Sequence, residues 1–341
     1  MKFNFEATGI GSLPFRDPSK ACETIFNNLE NIPFWPQLPR RSFFENMYVQ
    51  FSEGLPGMVL DEENKTAHID TSKVAAGIES VYGKYLEGDI EFFKISENYA
   101  QGFYKFMELF KASPGNVKYV KGQITGPVSY ALSVTDQNKR SVIYNKDLFE
   151  VLTKVLIMKA RWQIKRLKKI FPNVIIFIDE PYLVSIGSSF VNINIEESIG
   201  KLDEVIAAIS ADGALTGVHC CGNTDWSLLL KRSIDIINFD AYNFSKEFSL
   251  YGPDIKEFLR KGGTIAWGVI PSSDAIAKEN TSTLIEKLKS GIKLLADKGI
   301  KGQELSSIIT PSCGLGTVDE DSTNKILDIT RVLSNKLKKA N

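Results

Sequence analysis

The chain has few histidines and cysteines, and no excess of charge of either sign. Its 341 residues include two histidines and four cysteines, and 41 basic residues balance 41 acidic ones. Such a balance gives no electrostatic reason to expect nucleic acid or an anionic membrane as a partner. Four cysteines, two of them adjacent, also differ from the disulfide framework of a small secreted protein. The clustered cysteines, which lie beside a histidine, are therefore better explained as metal ligands than as disulfide partners.

Long apolar segments are also missing. The first five residues lack the apolar stretch of about seven to fifteen residues that a signal peptide needs. Apolar runs such as residues 174–178 are far shorter than the roughly twenty residues that cross a bilayer. We therefore expect a soluble, cytoplasmic protein without a membrane partner. With 43% hydrophobic residues, the chain can bury a large core.

Short apolar runs alternate with longer helical patterns along the whole chain. Several runs are continuous rather than alternating, as expected for parallel strands that are covered on both faces. Eight strands separated by helices predict a closed (β/α)8 TIM barrel of the α/β class, and a doubly wound open sheet is the competing layout. The predicted strands are residues 7–13, 58–61, 119–123, 174–179, 214–219, 234–239, 264–269 and 306–310.

A barrel of this kind needs about 250 residues, so the surplus is expected in extra N-terminal helices and loops. The main insertions are residues 31–57 and 81–116, and the aromatic, proline-rich stretch 33–39 is expected to form a lid or wall. No linker, low-complexity segment or internal repeat interrupts the chain. We therefore predict one domain that spans residues 1–341.

His219 and Cys221 lie at the end of the fifth predicted strand, and Cys313 follows the eighth. Active sites of TIM barrels collect at the C-terminal ends of the strands, so these side chains are predicted to meet. Residues two apart on a strand point the same way, so Cys221 is expected on the same face as His219 and Cys220 on the opposite face. One imidazole and two thiolates make a three-ligand zinc site with room for a substrate. For each residue alone, a hydrogen-bonded core histidine or a buried apolar cysteine is the alternative.

Asp240 closes the sixth predicted strand and is a candidate fourth ligand. It could instead support His219 from behind, or cap a helix. Sulfur and nitrogen ligands favour Zn²⁺, which does no redox chemistry. A substrate thiol that binds such a site would become an electron-rich thiolate nucleophile. Four further polar residues at strand ends are expected around the same opening: Ser12, Asp61, Thr125 and Asp179.

Five short motifs occur in order along the chain: Thr-Gly-Ile-Gly-Ser-Leu-Pro (residues 8–14), Lys-Gly-Gln-Ile-Thr-Gly-Pro-Val (121–128), Ile-Asp-Glu-Pro (178–181), His-x-Cys (219–221) and Pro-x-Cys-Gly-Leu (311–315). Together they resemble the C-terminal catalytic barrel of cobalamin-independent methionine synthase, and the related zinc methyltransferases that move methyl groups from corrinoid proteins to coenzyme M. Uroporphyrinogen decarboxylase shares this superfamily fold. The resemblance covers essentially the whole chain. It implies a (β/α)8 barrel, a catalytic zinc and methyl transfer to a thiol such as homocysteine.

The same resemblance assigns roles to individual residues and adds no catalytic residue beyond the metal site. Asp240 stands where the methionine synthases have a glutamate ligand. The residues that correspond to zinc ligands are His219, Cys221, Cys313 and Asp240. Contacts to the backbone of homocysteine correspond to Ile10, Gly11 and Ser12, and partners of its ammonium group correspond to Asp179 and Glu45.

The chain also departs from this family. Full-length methionine synthases carry two barrels, and only one is predicted here. The family's folate-contacting glutamate would fall at Ser185, and its catalytic histidine near Ile270. Since His68 and His219 are the only histidines, no other residue can take that role. A methylated corrinoid protein therefore fits better than methyl-folate as the methyl donor.

The leading hypothesis is a zinc-dependent methyltransferase that uses a small thiol, homocysteine first, as acceptor. Coenzyme M is the alternative thiol. A decarboxylase of the uroporphyrinogen type is the alternative enzyme, and Arg16, Arg40 and Arg41 could then hold its carboxylate-rich substrate. An accessory or metal-storage protein with a closed structural zinc site is the alternative without enzymatic activity.

Overall fold

The computed structural model of the chain describes residues 2–112, 117–188 and 191–340. The strands in this part of the chain are β1 (Asn4–Ala7), β2 (Met58–Asp61), β3 (Thr66–Ile69), β4 (Val120–Thr125), β5 (Thr135–Asp136), β6 (Val174–Asp179), β7 (Leu215–Cys220), β8 (Ile236–Phe239), β9 (Thr264–Ile270) and β10 (Ser307–Pro311). Seven of them form one parallel sheet in the order β1-β10-β9-β8-β7-β6-β4, and three form a small sheet in the order β2-β3-β5. The protein is thus an α/β protein built on a curled parallel sheet.

Helices separate most of the strands. Asparagine caps mark where long helices begin: the side chains of Asn145, Asn194 and Asn280 each accept a hydrogen bond from a backbone N–H of the first turn. No helix in the described residues is both long and apolar enough to cross a bilayer. The α-helices are α1 (Pro18–Asn28), α2 (Met47–Gln50), α3 (Val74–Glu87), α4 (Gln101–Ala112), α5 (Pro127–Ser133), α6 (Lys146–Leu167), α7 (Ile195–Ala211), α8 (Ser227–Leu230), α9 (Ala241–Ser249), α10 (Gly252–Arg260), α11 (Thr281–Ala296) and α12 (Glu320–Ala340).

The parallel strands are buried on both faces. In β6, Ile176 and Ile178 pack in the large cluster that includes the helices, whereas Ile175 and Phe177 pack in a second cluster inside the curl of the sheet. This alternation explains why β6 reads as a continuous apolar run. The buried members of the inner cluster are Phe3, Ile32, Ile175, Phe177, Ile236, Ala266 and Ile308.

Residues 31–37 lie between the two edge strands, β1 and β4. On one side, Lys121 N donates to Pro33 O at 2.8 Å. On the other side, Gln37 N donates to Gly11 O at 3.0 Å. These contacts are isolated bridges rather than a ladder, so seven strands make up the parallel sheet of the described chain. The prolines of this stretch have no N–H group, which prevents a regular ladder.

Two predicted strands differ from the structure. The first strand ends at Ala7, where the prediction begins, and its register shifts around Phe5, whose φ is 59°. The predicted segment 8–13 contains Gly9 and Gly11 and runs on as a loop. The segment Met58–Asp61 is a strand, but it pairs antiparallel with β3 through a local hairpin and lies outside the parallel sheet. Because this segment pairs with a strand that begins five residues later, it does not occupy the position in the barrel that was predicted for it.

The six other predicted strands lie in the parallel sheet, with ends shifted by at most two residues. The extra N-terminal elements are also present, as α2, α3, α4 and the small sheet. The last part of the predicted insertion 81–116, residues 113–116, lies outside the described residues. The fold therefore brings the C-terminal ends of β6 to β10 to one edge of the sheet.

Candidate metal centre

Polar side chains at the ends of β6, β7 and β8 form a row on the inner side of the sheet. Asp179 is in register with His219, and His219 with Asn238. Because side chains alternate along a strand, Asp179 faces the same side as the inner residue Phe177. On β7 the corresponding inner position is Gly217, where a Cβ would lie 2.3 Å from the Phe177 ring. The inner positions thus change from apolar to polar toward the C-terminal edge.

His219, Cys221 and Cys313 bring one nitrogen and two sulfur atoms together. Their ligand atoms all lie within 4.8 Å of one another, and His219 Nε2 is buried without a hydrogen-bond partner. Cys220 packs in the outer cluster, and its Sγ donates to Gly222 O at 3.6 Å. Among residues 2–112, 117–188 and 191–340, no fourth His, Cys, Asp or Glu joins the three. This arrangement can hold a metal ion through three protein ligands and leave a coordination position open.

Asn238 sets the orientation of His219. Its Oδ1 lies 2.5 Å from His219 Nδ1, while its Nδ2 donates to Ala266 O at 2.9 Å and to Thr310 Oγ1 at 2.8 Å. Since the amide nitrogen is used by these two acceptors, the amide oxygen faces the imidazole and Nδ1 carries the proton. His219 Nε2 is thereby directed toward the two sulfurs, as in metal sites where a hydrogen bond fixes the tautomer of the ligand.

Without a metal ion, the three side chains share protons. The hydrogen bond with Cys313, followed by the nearby imidazole of His219, lowers the pKa of Cys221 to about 4 against the effect of burial. Burial opposes protonation of His219, but the nearby Cys221 raises the pKa of His219. The hydrogen bond with Cys221 and burial raise the pKa of Cys313. Of the two thiols in the metal-free cluster, Cys221 is therefore the one that ionises first.

The loop that carries Cys313 is held against Ser12. Leu315 N donates to Ser12 O at 2.9 Å, and Gly316 N donates to Ser12 Oγ at 3.2 Å. A Cβ at Gly314 would lie 2.3 Å from Ser12 Oγ, so a larger residue there would displace the Ser12 hydroxyl from Gly316 N. The position of Cys313 therefore depends on the segment after β1, although 300 residues separate them in sequence.

A cavity of about 590 Å³ opens onto the three ligand side chains. Four of the predicted substrate contacts line it, namely Ile10, Ser12, Asp179 and Glu45. The fifth, Gly11, does not line the cavity, and a Cβ at this position would lie 2.7 Å from Gln37 Oε1. The predicted wall formed by residues 33–39 contributes two lining residues, Gln37 and Pro39.

Asp179 and Glu45 are buried carboxyl groups that face the cavity. Asp179 Oδ1 has no hydrogen-bond partner within the described chain, and burial raises the pKa of Asp179 to about 6. Glu45 accepts hydrogen bonds from Leu38 N at 3.1 Å and from Arg41 at 2.8 Å, and burial raises its pKa to about 7. A positively charged group in the cavity would give Asp179 the partner that it lacks and lower its pKa.

Asp240 caps helix α9 and lies outside the group of three ligand atoms. Its Oδ1 accepts from Asn243 N at 3.0 Å, and its Oδ2 accepts from Asn243 Nδ2 at 2.7 Å. Both carboxylate oxygens are therefore engaged with the first turn of the helix. Asp240 was alternatively expected to hydrogen-bond His219, but Asn238 makes this contact. Metal ligation by Asp240 stays a prediction that requires this cap to open.

Two other strand-end residues do not reach the cavity. Thr125 Oγ1 donates to Met47 O at 2.6 Å, and Asp61 accepts from Asn64 N at 2.9 Å in the turn of the β2–β3 hairpin. Asp61 is distant because its strand belongs to the small sheet rather than to the parallel one.

The positions of the two missing family residues also lie away from the cavity lining. Ile270 is fully buried at the end of β9, and Ser185 Oγ donates to Tyr182 O at 2.6 Å. Of the three arginines considered for a carboxylate-rich substrate, only Arg40 lines the cavity. Its guanidinium group donates to the carbonyl oxygens of Gly316 and Thr317, which occupies two of its donors.

Two buried polar residues near the site received no role from the sequence. Asn238 interrupts the apolar strand β8, and Lys121, the first residue of the motif 121–128, lies in the fully buried strand β4. A polar residue at an inner position of a buried strand is a usable signal, because such a group needs a partner.

Comparison with known proteins supports the fold. No protein-family model matches the sequence, and no curated protein sequence matches it. Among solved structures, the chain is similar to a B12-independent methionine synthase from Shewanella sp. W3-18-1, solved in complex with selenomethionine. The TM-score is 0.60 at 15% sequence identity, over 98% of both chains. A D-tagatose 3-epimerase-like protein has a TM-score of 0.38 at 14% identity, over 71% of this chain and 87% of the other. At 15% identity, the first likeness shows a common fold along the whole chain.

Proposed function

We propose that this protein is a zinc-dependent methyltransferase that methylates a small thiol, homocysteine, to give methionine in a single (β/α)8-barrel domain. One observation carries the proposal: His219, Cys221 and Cys313 meet at the wall of a cavity with no fourth protein ligand among the described residues. A site that is open toward a cavity is typical of catalytic rather than structural zinc. The likeness to the fold of a methionine synthase supports the same assignment.

The donor set fits Zn²⁺. One imidazole nitrogen without a partner and two sulfurs, one of them already a thiolate, are ligands that zinc prefers. The chemistry that zinc supplies in such a set is to hold an acceptor thiol as its thiolate at neutral pH. The residues of this chain supply orientation: Asn238 fixes the imidazole, and Ser12 holds the loop of Cys313.

The cavity fits an amino-acid thiol. The unpartnered Asp179 Oδ1 can accept a hydrogen bond from an ammonium group, and Glu45 lies on the same cavity. Ile10 and Ser12 line the wall beside the sulfur atoms, where they limit the poses of the acceptor. Holding the acceptor sulfur in line with the methyl group is the main contribution expected from the protein. Coenzyme M is the alternative acceptor.

The methyl donor that fits best is a methylated corrinoid protein. Transfer from a cobalt–methyl bond needs no proton donor for the leaving group, whereas transfer from methyl-folate does. Neither Ser185 nor Ile270 lines the cavity or offers an acidic or imidazole side chain there. Methyl-folate is the alternative donor.

The competing functions find less support. A uroporphyrinogen-type decarboxylase would use several cationic side chains in the cavity, and Arg40 alone of the three candidates lines it. A closed structural zinc site would need a fourth protein ligand, and Asp240 is engaged as a helix cap.

The test is methyl transfer by the zinc-loaded protein, with homocysteine as acceptor and methylcobalamin as the probe donor. We expect methionine to form with the wild type and with Cys220→Ala, since Cys220 packs away from the site. Cys221→Ser should lose bound zinc and, with it, the transfer of the methyl group. Equal rates for Cys221→Ser and the wild type would refute the proposal, as would a wild type that binds no zinc.

A further inference from the structure

Lys121 is a buried lysine directly behind the substrate side of the cavity. Its side chain is fully buried on β4, and it is absent from the cavity lining. Its Nζ donates to Ile10 O at 2.5 Å and to Gln123 Oε1 at 3.1 Å. Ile10 lines the cavity on its other side. The ammonium group therefore holds from behind the segment that forms the wall.

The charge of Lys121 is also linked to Asp179. The strands that carry the two residues, β4 and β6, are neighbours in the sheet, and Phe177, which lies against Lys121 Nζ, is two residues before Asp179 on β6. When it is protonated, Lys121 stabilises the carboxylate of Asp179 by attraction between opposite charges. The aromatic ring of Phe177, with its centroid 4.6 Å from Lys121 Nζ, adds a cation–π contact.

A second buried lysine shows what is specific about this position. Lys159 on α6 is also fully buried, but its Nζ has no hydrogen-bond partner within the described chain, and it does not line the cavity. Lys121, by contrast, contacts a backbone atom of a lining residue and interacts with the carboxylate that faces the ligand. The two residues form a matched pair for an experiment.

We propose that Lys121 is a positioning residue that makes the cavity selective for acceptor thiols bearing an amino group. It does so by fixing the Ile10 carbonyl and by supporting the negative charge of Asp179 toward the ligand. The inference rests on the proposed function, because it deepens the assignment of an amino-acid thiol as acceptor. Lys121 itself touches no part of the acceptor.

The test compares equilibrium binding of homocysteine and of 4-mercaptobutyrate, the same molecule without its amino group, to the zinc-loaded protein by calorimetry. In the wild type, homocysteine should bind roughly tenfold more tightly or better, as expected for a hydrogen bond between charged groups. In Lys121→Met this ratio should fall toward one, because homocysteine weakens and 4-mercaptobutyrate does not. Lys159→Met should keep the wild-type ratio.

Equal weakening of both thiols in Lys121→Met, or the same loss of selectivity in Lys159→Met, would overturn the inference. A wild type that does not discriminate between the thiols would also overturn it. If Lys121→Met does not fold, Lys121→Gln serves in its place, because it keeps a donor for Ile10 O without the charge. Selectivity should again be lost in Lys121→Gln. Full selectivity in that variant contradicts the inference. Binding needs no methyl donor, so this result is independent of the methyl-transfer assay.

Discussion

The two sides of the cavity are built in different ways. On the metal side, His219 lies in β7, and Cys221 and Cys313 follow closely after β7 and β10, at the edge of a continuous parallel ladder. On the substrate side, Ile10 lies in a loop and Glu45 in a short 3-10 helix, and isolated bridges and single side chains hold these segments in place.

The difference indicates how each side is made rigid. Strand ends inherit their positions from the register of the sheet, so a metal ligand there needs only one further contact to fix its rotamer. Loop residues have no such frame and depend on individual hydrogen bonds, here including one from a buried ammonium group. We therefore expect substitutions on the metal side to change metal affinity, and substitutions on the substrate side to change acceptor affinity.

The largest expected effect is that of pH on the affinity of the metal side for zinc. The pKa of Cys313 is raised in the metal-free cluster, mainly by its hydrogen bond with Cys221, so this thiol carries a proton near neutral pH. Metal binding should then release about one proton from Cys313, and zinc affinity should rise roughly tenfold per pH unit from pH 6 to 8. Competition with a chelator of known affinity measures this slope. A slope near zero would mean that the three side chains do not take up the ion together.

Asn238→Leu should weaken the metal side without touching a ligand. The substitution removes the acceptor for His219 Nδ1, and loss of such a partner typically costs about 10- to 100-fold in metal affinity. Asn238→Asp is the matched control, because a carboxylate oxygen can accept the same hydrogen bond. The comparison fails if both variants bind zinc like the wild type, or if the leucine variant loses acceptor affinity but no zinc.

Asp179→Asn should act on the substrate side alone. The amide keeps the shape of the side chain but loses the charge for an ammonium group, so homocysteine should bind about tenfold more weakly. Zinc content should stay that of the wild type, since Asp179 is not one of the three clustered ligands. Calorimetry and metal analysis on the same preparation check both points. Loss of zinc with unchanged homocysteine affinity would place Asp179 on the metal side instead.

Asp240→Ala should have the smallest effect, and it should lower the stability of helix α9 rather than the affinity for zinc. Loss of the cap of α9 typically costs about 1 kcal/mol in the free energy of unfolding. Asp240→Asn keeps an oxygen for the cap and should be closer to wild type in denaturant titration. Neither variant should change zinc affinity by more than about twofold. A tenfold fall in both would show that Asp240 is a ligand after all.

Much of the metal side could be predicted from the sequence because regular structure positions it. β6 reads as a continuous apolar run, and the two-residue spacing lets Cys221, just past the end of β7, meet the side chain of His219 on the same side. Cys313 lies close to these two side chains because the strand ends of a parallel sheet share one edge. The missed partner, Asn238, obeys the same alternation and needed only a search for polar inner positions.

The substrate side was harder to predict because non-local contacts decide it. The segment 8–13 looked like a strand, yet its glycines allow a loop that pairs with Gln37. Residues 31–37 lie where the prediction placed residues 58–61, although their prolines argue against a regular strand. Nothing in the local pattern shows that Lys121 would reach the Ile10 carbonyl, 111 positions away. Such contacts become visible only once the chain is folded.

The most direct test of the central claim is X-ray absorption at the zinc edge, with and without homocysteine. We expect one zinc ion per chain, with two sulfur ligands and one imidazole nitrogen from the protein. Addition of homocysteine should bring a third sulfur into the coordination shell, and addition of buffer alone should not. A shell of four protein ligands that homocysteine leaves unchanged, or a protein without zinc, would contradict the account.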